Sequence, residues 1–298
     1  MPNAVTTAFV TEFQTVSALL LQQQDSRLAG AVTTYSLKGE AAEVLEQFGT
    51  STAVTGLSRH SDTPILDVPQ DRRWCYPGDA EWGTMIDSQD KLRMLIDPQG
   101  PYTKVGVAAL NRQKDDVIAA AIFGNANTGK SGSVITALPS GQVIANTFGA
   151  SAATGMNVAK LREARRLLKR SEVDLDAESP YCALSADKET DLLNEIQVIS
   201  REYNGDAPVL QNGRLTGYLG FNFIHSERFA GGSAYTGAVS GYEIPVWVKS
   251  GVGLGIWGDL QAMVDQDPGK RFNWIVYMKQ TIGATRLEEK RVVKIQAV

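Results

Sequence analysis

Residues 32–76 form a long stretch that cannot build a hydrophobic core of its own. The stretch, VTTYSLKGEAAEVLEQFGTSTAVTGLSRHSDTPILDVPQDRRWCY, is rich in Thr, Val and Ser and shows no long helical spacing of apolar residues. It is interrupted by Gly39, Gly49, Gly56, Pro64 and Pro69. This pattern predicts extended strands and turns, and two strands of about 15 residues would make an arm roughly 50 Å long. Such an arm is stable only when it lies on another surface.

The rest of the chain is predicted to combine helices and strands. We expect helices at 8–30, 88–97, 101–124, 155–171, 189–204 and 259–266. The segment at 101–124 has Pro101 in its first turn and Gly124 at its end, so it is predicted to be the longest helix. A polar group on this helix is expected to be a solvated patch: Arg112, Lys114, Asp115 and Asp116.

Strands are predicted where β-branched and aromatic residues cluster. We expect a hairpin at 133–148, strands within 182–189 and 213–229, and returning strands from 244 to the end of the sequence. A glycine-rich loop is expected at 230–243. The mixture of separate helical and strand segments predicts an α+β fold.

Composition bears on the class of partner. The chain has 298 residues, 43% hydrophobic and 21% charged, which is typical of a globular protein with a sizeable core. The formal net charge is −4, from 29 basic and 33 acidic residues. A dedicated nucleic-acid grip requires a basic excess or a basic stripe, so we do not expect one.

Cysteine and histidine usage is sparse. The only candidates are Cys75, Cys182, His60 and His225, and no two of them have the spacing of metal ligands. We therefore expect no metal site, no disulfide framework and a reducing compartment. No signal-peptide pattern is found, and the longest apolar run, at 117–123, is too short to span a bilayer, so no membrane partner is expected.

Residues 124–131, GNANTGKS, match the phosphate-binding pattern G-x-x-x-x-G-K-[ST]. That pattern binds nucleotides when a buried strand precedes it and a helix follows it. Here the predicted order is reversed, because a helix precedes Gly124 and a hairpin follows Ser131. A helix end followed by a polar loop explains both glycines, so we expect no nucleotide cofactor.

The predicted helix at 155–171 carries a basic face. We take four arginines as candidates for contact with phosphate or with a partner: Arg162, Arg165, Arg166 and Arg170. Such a run is also typical of a solvated helix face, and the acidic residues at 171–178 could neutralise it. Nothing near Cys182 or His225 indicates an activated pair, and the carboxylates are scattered, so no catalytic residue is assigned.

Several stretches resemble one known family when they are taken in order. They are SRHSDTPILDVPQDRRWCYPGDAEWGTMIDSQDKLRMLIDPQGPY, which leads into AALNRQKDDVIAAAIFGNANTG, then the block from PYCALSADKETDLLNE to NGRLTGYLGFNFIHSERF, and the ending QTIGATRLEEKRVVKIQAV. In order and spacing they are similar to the major capsid proteins of tailed bacteriophages with the Hong Kong 97-type fold. The resemblance covers nearly the whole chain.

This resemblance implies a domain organisation. An N-terminal arm would occupy 1–31 and an extended loop 32–75. A peripheral domain would comprise 76–150 and 246–298, with its spine helix at about 101–124. A compact axial domain would be inserted at 151–245.

The resemblance also implies a function. The chain would be a non-enzymatic shell protein that self-assembles, as hexamers and pentamers, into the icosahedral head of a virion around double-stranded DNA. Assembly would take place in the bacterial cytoplasm with a separate scaffolding protein and a portal, and decoration proteins could bind the shell. We take charged residues of the loop region as inter-subunit contact candidates: Lys38, Glu40, Arg59, Asp62, Arg72 and Arg73. The alternatives are an encapsulin-like compartment and a nucleotide-hydrolysing enzyme that uses GNANTGKS.

Overall fold

The computed structural model of the chain describes residues 22–56, 58–87, 99–199, 210–211, 214–215, 217–229 and 242–298. The helix predicted at 88–97 lies outside these residues. So do the first part of the helix predicted at 8–30 and most of the glycine-rich loop predicted at 230–243.

The described residues form strands and helices in an alternating order. The strands are β1 (Thr33–Ser36), β2 (Ala42–Phe48), β3 (Gln70–Cys75), β4 (Gly78–Ile86), β5 (Ala126–Thr128), β6 (Val134–Thr136), β7 (Val143–Ile144), β8 (Tyr181–Leu184), β9 (Leu210–Gln211), β10 (Arg214–Leu215), β11 (Gly217–Tyr218), β12 (Phe221–His225), β13 (Tyr242–Trp247), β14 (Val252–Asp267), β15 (Asn273–Arg286) and β16 (Val292–Ala297). The α-helices are α1 (Gln99–Phe123), α2 (Val158–Arg170), α3 (Ala186–Leu193) and α4 (Ile196–Ile199).

Helix α1 confirms the long helix predicted at 101–124. Pro101 lies in its first turn, where the missing N–H leaves no hydrogen bond unmade. At its end the Gly124 N–H donates to the Ala120 carbonyl at 2.8 Å. Gly106 lets the helix approach the neighbouring sheet, because a Cβ there would lie 2.5 Å from a ring carbon of Trp82.

Helix α1 packs against a four-stranded sheet, which we call the spine sheet. Its strand order is β1-β14-β15-β4, with β1 parallel to β14 and the other pairs antiparallel. The inner face of this sheet contributes Val276 and Met278, which are fully buried against Leu110 of the helix.

A six-stranded sheet, the axial sheet, lies at the other end of α1. Its order is β11-β12-β8-β13-β16-β7. Helix α2 covers one face through Leu161, Ala164 and Leu168, all fully buried, and these residues share one apolar cluster with Ile295 of β16. This helix confirms the prediction at 155–171, and its N-cap Asn157 accepts a hydrogen bond from the Lys160 N–H at 2.9 Å.

The last strand of the chain lies in the middle of the axial sheet. Strand β16 pairs with β13 along its whole length and with β7 on its other side. A boundary at 245 would divide β13 itself, and an assignment of 246–298 to the peripheral domain would separate β16 from its own sheet. We therefore propose that the axial unit includes β7, β13 and β16.

A third sheet, the loop sheet, has the order β2-β3-β5-β6. The hairpin predicted at 133–148 is therefore wrong, because β6 pairs with β5 and β7 pairs with β16. Gly129 and Gly132, with φ of +84° and +71°, form a tight turn between β5 and β6. This turn places β6 beside β5, which is nearer in sequence than β7.

Three other local predictions are wrong in part. The helix predicted at 259–266 is part of β14, because pairing with β15 overrides the propensity of a short segment. The described part of the helix predicted at 189–204 is divided into α3 and α4, and residues 200–204 lie outside the described residues. The helix predicted to reach Gly30 does not do so, since residues 22–28 are irregular and Ala29–Ala31 forms a single 3-10 turn.

Candidate self-assembly surface

The distal part of the extended loop, residues 49–69, has little support from the rest of the chain. Its described residues contain no strand, and the Gly49 N–H donates to the Pro69 carbonyl at 2.7 Å where the two chain directions meet. The two flanking strands are shorter than predicted, because in the segment between them prolines lack the N–H of a ladder bond and glycines weaken strand formation. The arm is therefore a short paired root followed by an unpaired tip.

Large apolar side chains on this tip face solvent. Ile65 is 95% exposed and Leu66 is 47% exposed, and Phe48, just before the tip, is 65% exposed. A fully buried aliphatic side chain gains about 1.5–3 kcal/mol relative to an exposed one. The single chain leaves this energy unrealised, and clustered exposure of this kind marks an interaction surface.

The outer face of the spine sheet is also uncovered. Cross-strand pairing places Met263 opposite Tyr277, and Ile275 opposite Met85, on the face away from the inner residues Val276 and Met278. Met263 is 54% exposed and Met85 is 45% exposed. The four side chains are therefore neighbours on one face across three strands, next to Asp265, and we call them the outer patch.

The charged contact candidates of the loop region fall into two groups. Lys38, Glu40, Arg59 and Asp62 are exposed. Arg72 is half-exposed and pairs across the loop sheet with Glu43 at 3.2 Å and Glu46 at 3.3 Å. The first group stays available as inter-subunit candidates, whereas Arg72 already has partners in its own chain.

Arg73 differs from the other five charged candidates, because it is buried and only 4% exposed. Its two terminal nitrogens donate to the two carboxylate oxygens of Glu289, each at 2.8 Å. A bidentate pair of this kind fixes both partners in position. We therefore withdraw Arg73 from the surface candidates and assign it an intramolecular contact.

The four candidate arginines of α2 are also unequal. Arg162 and Arg170 are exposed. Arg166 pairs with Glu163 at 2.6 Å, and its hydrogen bond lowers the pKa of that carboxyl. Arg165 donates to the Leu219 carbonyl. Of the four candidates, Arg162 and Arg170 therefore remain available for contact with a phosphate, which is fewer than the sequence indicates.

Lys160, which lies on the same helix, is fully buried rather than part of the basic face. Its ammonium donates to the carbonyls of Thr154, Gly155 and Gln296 at 2.9, 2.8 and 3.1 Å. Burial, with the nearby charge of Lys188, lowers the pKa of Lys160 to about 8. This lysine therefore joins the start of α2 to the last strand of the axial sheet.

The GNANTGKS segment builds a hairpin that supports the loop root. Its middle residues form β5, and Lys130 and Ser131 are exposed at the turn before β6. No helix follows Ser131, so the helix N-terminus that a phosphate site requires is replaced by a strand. The Gly129 carbonyl instead accepts a hydrogen bond from Trp74 Nε1 at 2.8 Å. The nucleotide interpretation therefore lacks its structural context.

Sequence reasoning also missed a contact between Asp115 of α1 and the N-terminal segment. Asp115, expected in a solvated patch, is fully buried. It accepts hydrogen bonds from the Ser26 hydroxyl at 2.5 Å and from the backbone N–H groups of Arg27 and Leu28 at 3.0 and 3.2 Å. The donors lie almost ninety residues away in sequence, so no local pattern could identify them.

The cysteines show no sign of activation. Cys75 and Cys182 are both free and buried. Burial raises the pKa of Cys75 to about 11 and raises that of Cys182 further. Within the part of the chain that the structure describes, no group of three or more His, Cys, Asp or Glu residues could hold a metal ion. Among those same residues, no helix is long and apolar enough to cross a bilayer.

The fold is similar to capsid structures of several phages. The capsid of cyanophage P-SCSP1u matches with a TM-score of 0.75 and 16% identity, over 100% of this chain and 95% of that chain. The mature capsid of bacteriophage PhiM1 matches with a TM-score of 0.72 and 13% identity, over 97% and 91%. The capsid of cyanophage Pam1 matches with a TM-score of 0.71 and 14% identity, over 98% and 97%.

The sequence itself matches the model of a protein family, described as phage capsid protein, over residues 5–298. None of the curated proteins matches it. The structural similarities confirm the Hong Kong 97-like fold expected from the sequence. The chain therefore belongs to the phage capsid protein family and is a major capsid protein of the phage head shell.

Proposed function

We propose that this capsid protein builds an icosahedral shell around double-stranded DNA by placing its extended loop on a neighbouring copy. The observation that carries this proposal is the exposure of Ile65 and Leu66 on a tip that no described element of its own chain covers. The outer patch is a surface of matching chemistry on the body of the subunit. Joining the two would bury apolar area on both copies.

The length of the tip is sufficient for this contact. From Gly49 to Pro69 about ten residues can run outward and about ten can return, so the tip can reach roughly 30 Å from the root. The tip and the outer patch are different surfaces, so the contact is heterologous, from head to tail. Heterologous contacts close into rings when the rotation between copies allows it, which suits hexamers and pentamers.

Several parts of the proposal concern partners. We propose assembly in the bacterial cytoplasm with a separate scaffolding protein and a portal, with room for decoration proteins on the finished shell. A purely structural role without catalysis is supported by the family and by the buried, unactivated cysteines. The family match favours a phage head over an encapsulin-like compartment.

Contact with packaged DNA is proposed to be weak and independent of sequence. The exposed Arg162 and Arg170 would contact phosphates, while the net charge of −4 limits the overall attraction. Charge removal by an Arg162→Gln/Arg170→Gln variant should reduce the salt dependence of duplex binding by subunits. An unchanged salt dependence would remove these two residues from the proposal.

Electron microscopy of the purified protein, with a co-expressed scaffolding protein where one is needed, tests the shell directly. We expect closed shells of uniform diameter, because repeated heterologous contacts of one geometry fix the curvature. Each contact need bury only about 800 Å² per partner to be specific. Soluble monomers under every condition would contradict the proposal.

A further inference from the structure

One carboxylate contacts the loop root's side-chain network through Arg73 of β3, and Arg73 extends that network to β2. Glu289 accepts two hydrogen bonds from Arg73 on β3, and Arg73 Nε donates to the Gln47 side chain on β2 at 3.1 Å. Gln47 in turn donates to the Leu287 carbonyl at 2.6 Å. Each strand of the root thus sends one side chain to the turn that follows β15.

The same carboxylate faces the end of the spine helix. Arg286 is fully buried and donates to the carbonyls of Ile122 and Gly124 at 3.2 and 2.6 Å, and to that of Thr136 at 3.0 Å. Its Nε lies 3.7 Å from Glu289 Oε1 and has no hydrogen-bond partner among the residues that the structure describes. Glu289 therefore lies between two guanidinium groups, one on the loop and one on the body.

The packing between the root and the turn after β15 is incomplete. An open cleft of about 550 Å³ separates the root from the turn, and its lining includes Leu45, Phe48 and Lys290. On the other side, β3 pairs with β5 at only Arg73 and Trp74. That pairing holds β3 alone, whereas the contacts around Glu289 involve both β2 and β3.

We propose that Glu289 is the positioning residue that sets the direction in which the extended loop leaves the spine helix. Without its negative charge, Arg73 and Arg286 would face each other unpaired in a buried site, which strongly destabilises such an arrangement. A small rotation at the root becomes a large displacement at the tip, because the tip reaches roughly 30 Å. The consequence for assembly rests on the proposed function of the loop, but the loop position can be measured on single subunits.

The test compares Glu289→Gln with Glu288→Gln in unassembled subunits, by hydrogen exchange. Glu288 is a matched control, because it is in the same turn and pairs with Arg291 at 2.6 Å, with each side chain more than one-third exposed. In Glu289→Gln we expect exchange in Ala42–Phe48 and Gln70–Cys75 to rise about tenfold or more, with the axial sheet unchanged. Glu288→Gln should leave both regions unchanged.

Two results would overturn this assignment. One is equal exchange of the root strands in Glu289→Gln and Glu288→Gln. The other is a uniform rise that includes the axial sheet, which would show a general effect on folding.

As a second variant, Arg73→Lys keeps the charge but loses the bidentate contact, so it should raise exchange in the root strands less than Glu289→Gln does.

The two proposals can fail separately. If the wild-type protein forms no shells, the proposed function fails, while hydrogen exchange still decides the role of Glu289. If wild-type shells form and the root strands of Glu289→Gln exchange at the wild-type rate, the role of Glu289 is rejected and the shell proposal stands.

Discussion

The axial sheet and the tip of the extended loop use the same kinds of side chain in opposite surroundings. Ile295 on β16 is fully buried beneath α2, whereas Ile65 on the tip is 95% exposed. The axial sheet has a helix of its own chain to cover it. No helix among the described residues covers the tip, so the difference separates the apolar surface that the described chain buries from the surface that we propose a second copy buries.

Removing the tip should separate folding from assembly most completely. A deletion of 50–68 is feasible because Gly49 and Pro69 are already hydrogen-bonded at 2.7 Å. We expect the deleted subunit to unfold with the wild-type free energy, because the tip adds no core contacts, and shells to be lost. Denaturation of subunits and electron microscopy measure the two effects. Normal shells from the deleted chain would show that the tip is dispensable.

Removing a buried side chain from the axial sheet should, in contrast, lower the stability of the subunit itself. Trp247 is fully buried, stacks on Tyr181 with ring centroids 6.1 Å apart, and donates to the Ala31 carbonyl at 2.9 Å. We expect Trp247→Ala to lower the free energy of unfolding by about 3–5 kcal/mol, from the cavity and the lost hydrogen bond. Urea denaturation of subunits measures this loss.

The control for this variant is an aromatic residue next to the tip. Phe48 is 65% exposed, so Phe48→Ala should change the free energy of unfolding by no more than about 0.5 kcal/mol. Similar losses in Trp247→Ala and Phe48→Ala would mean that the two regions are equally supported, contrary to the structure.

The smallest effect on the subunit is expected at the tip itself. Ile65→Ser should leave the free energy of unfolding within about 0.5 kcal/mol of wild type, since the side chain has almost nothing to lose. Shells of this variant should dissociate at lower denaturant concentration than wild-type shells, because each copy loses apolar burial. Destabilised subunits together with fully stable shells would reverse the comparison.

The large elements could be predicted from the sequence, whereas contacts between residues that are distant in sequence could not. The long helix follows from Pro101 and Gly124, and helix α2 follows from the periodic spacing of its apolar residues, because these signals are local. The position of β6 depends on the turn at Gly129 and on Arg286, which lies 150 residues from Thr136 in sequence. A local pattern holds no information about such a contact.

The candidate surface could be predicted only in outline for the same reason. The composition of 32–76 and its glycine and proline breaks predict an arm without a core of its own, and the described residues of the tip are exposed, as this predicts. Burial of Arg73 by Glu289 could not be foreseen, because the two residues are 216 positions apart. The outer patch depends on how three strands pair. The alternation of Trp274, Val276 and Met278 indicates which side chains of β15 share a face, but it does not indicate how β15 pairs with β14 and β4.

Whether a second copy covers the tip can be measured by thiol labelling of an Ile65→Cys variant. Cys75 and Cys182 are buried and provide internal controls that should react slowly in folded subunits, since burial raises both thiol pKa values. We predict rapid labelling at position 65 in free subunits and strong protection in assembled shells. Equally rapid labelling of position 65 in shells and in subunits would contradict the role of the extended loop in assembly.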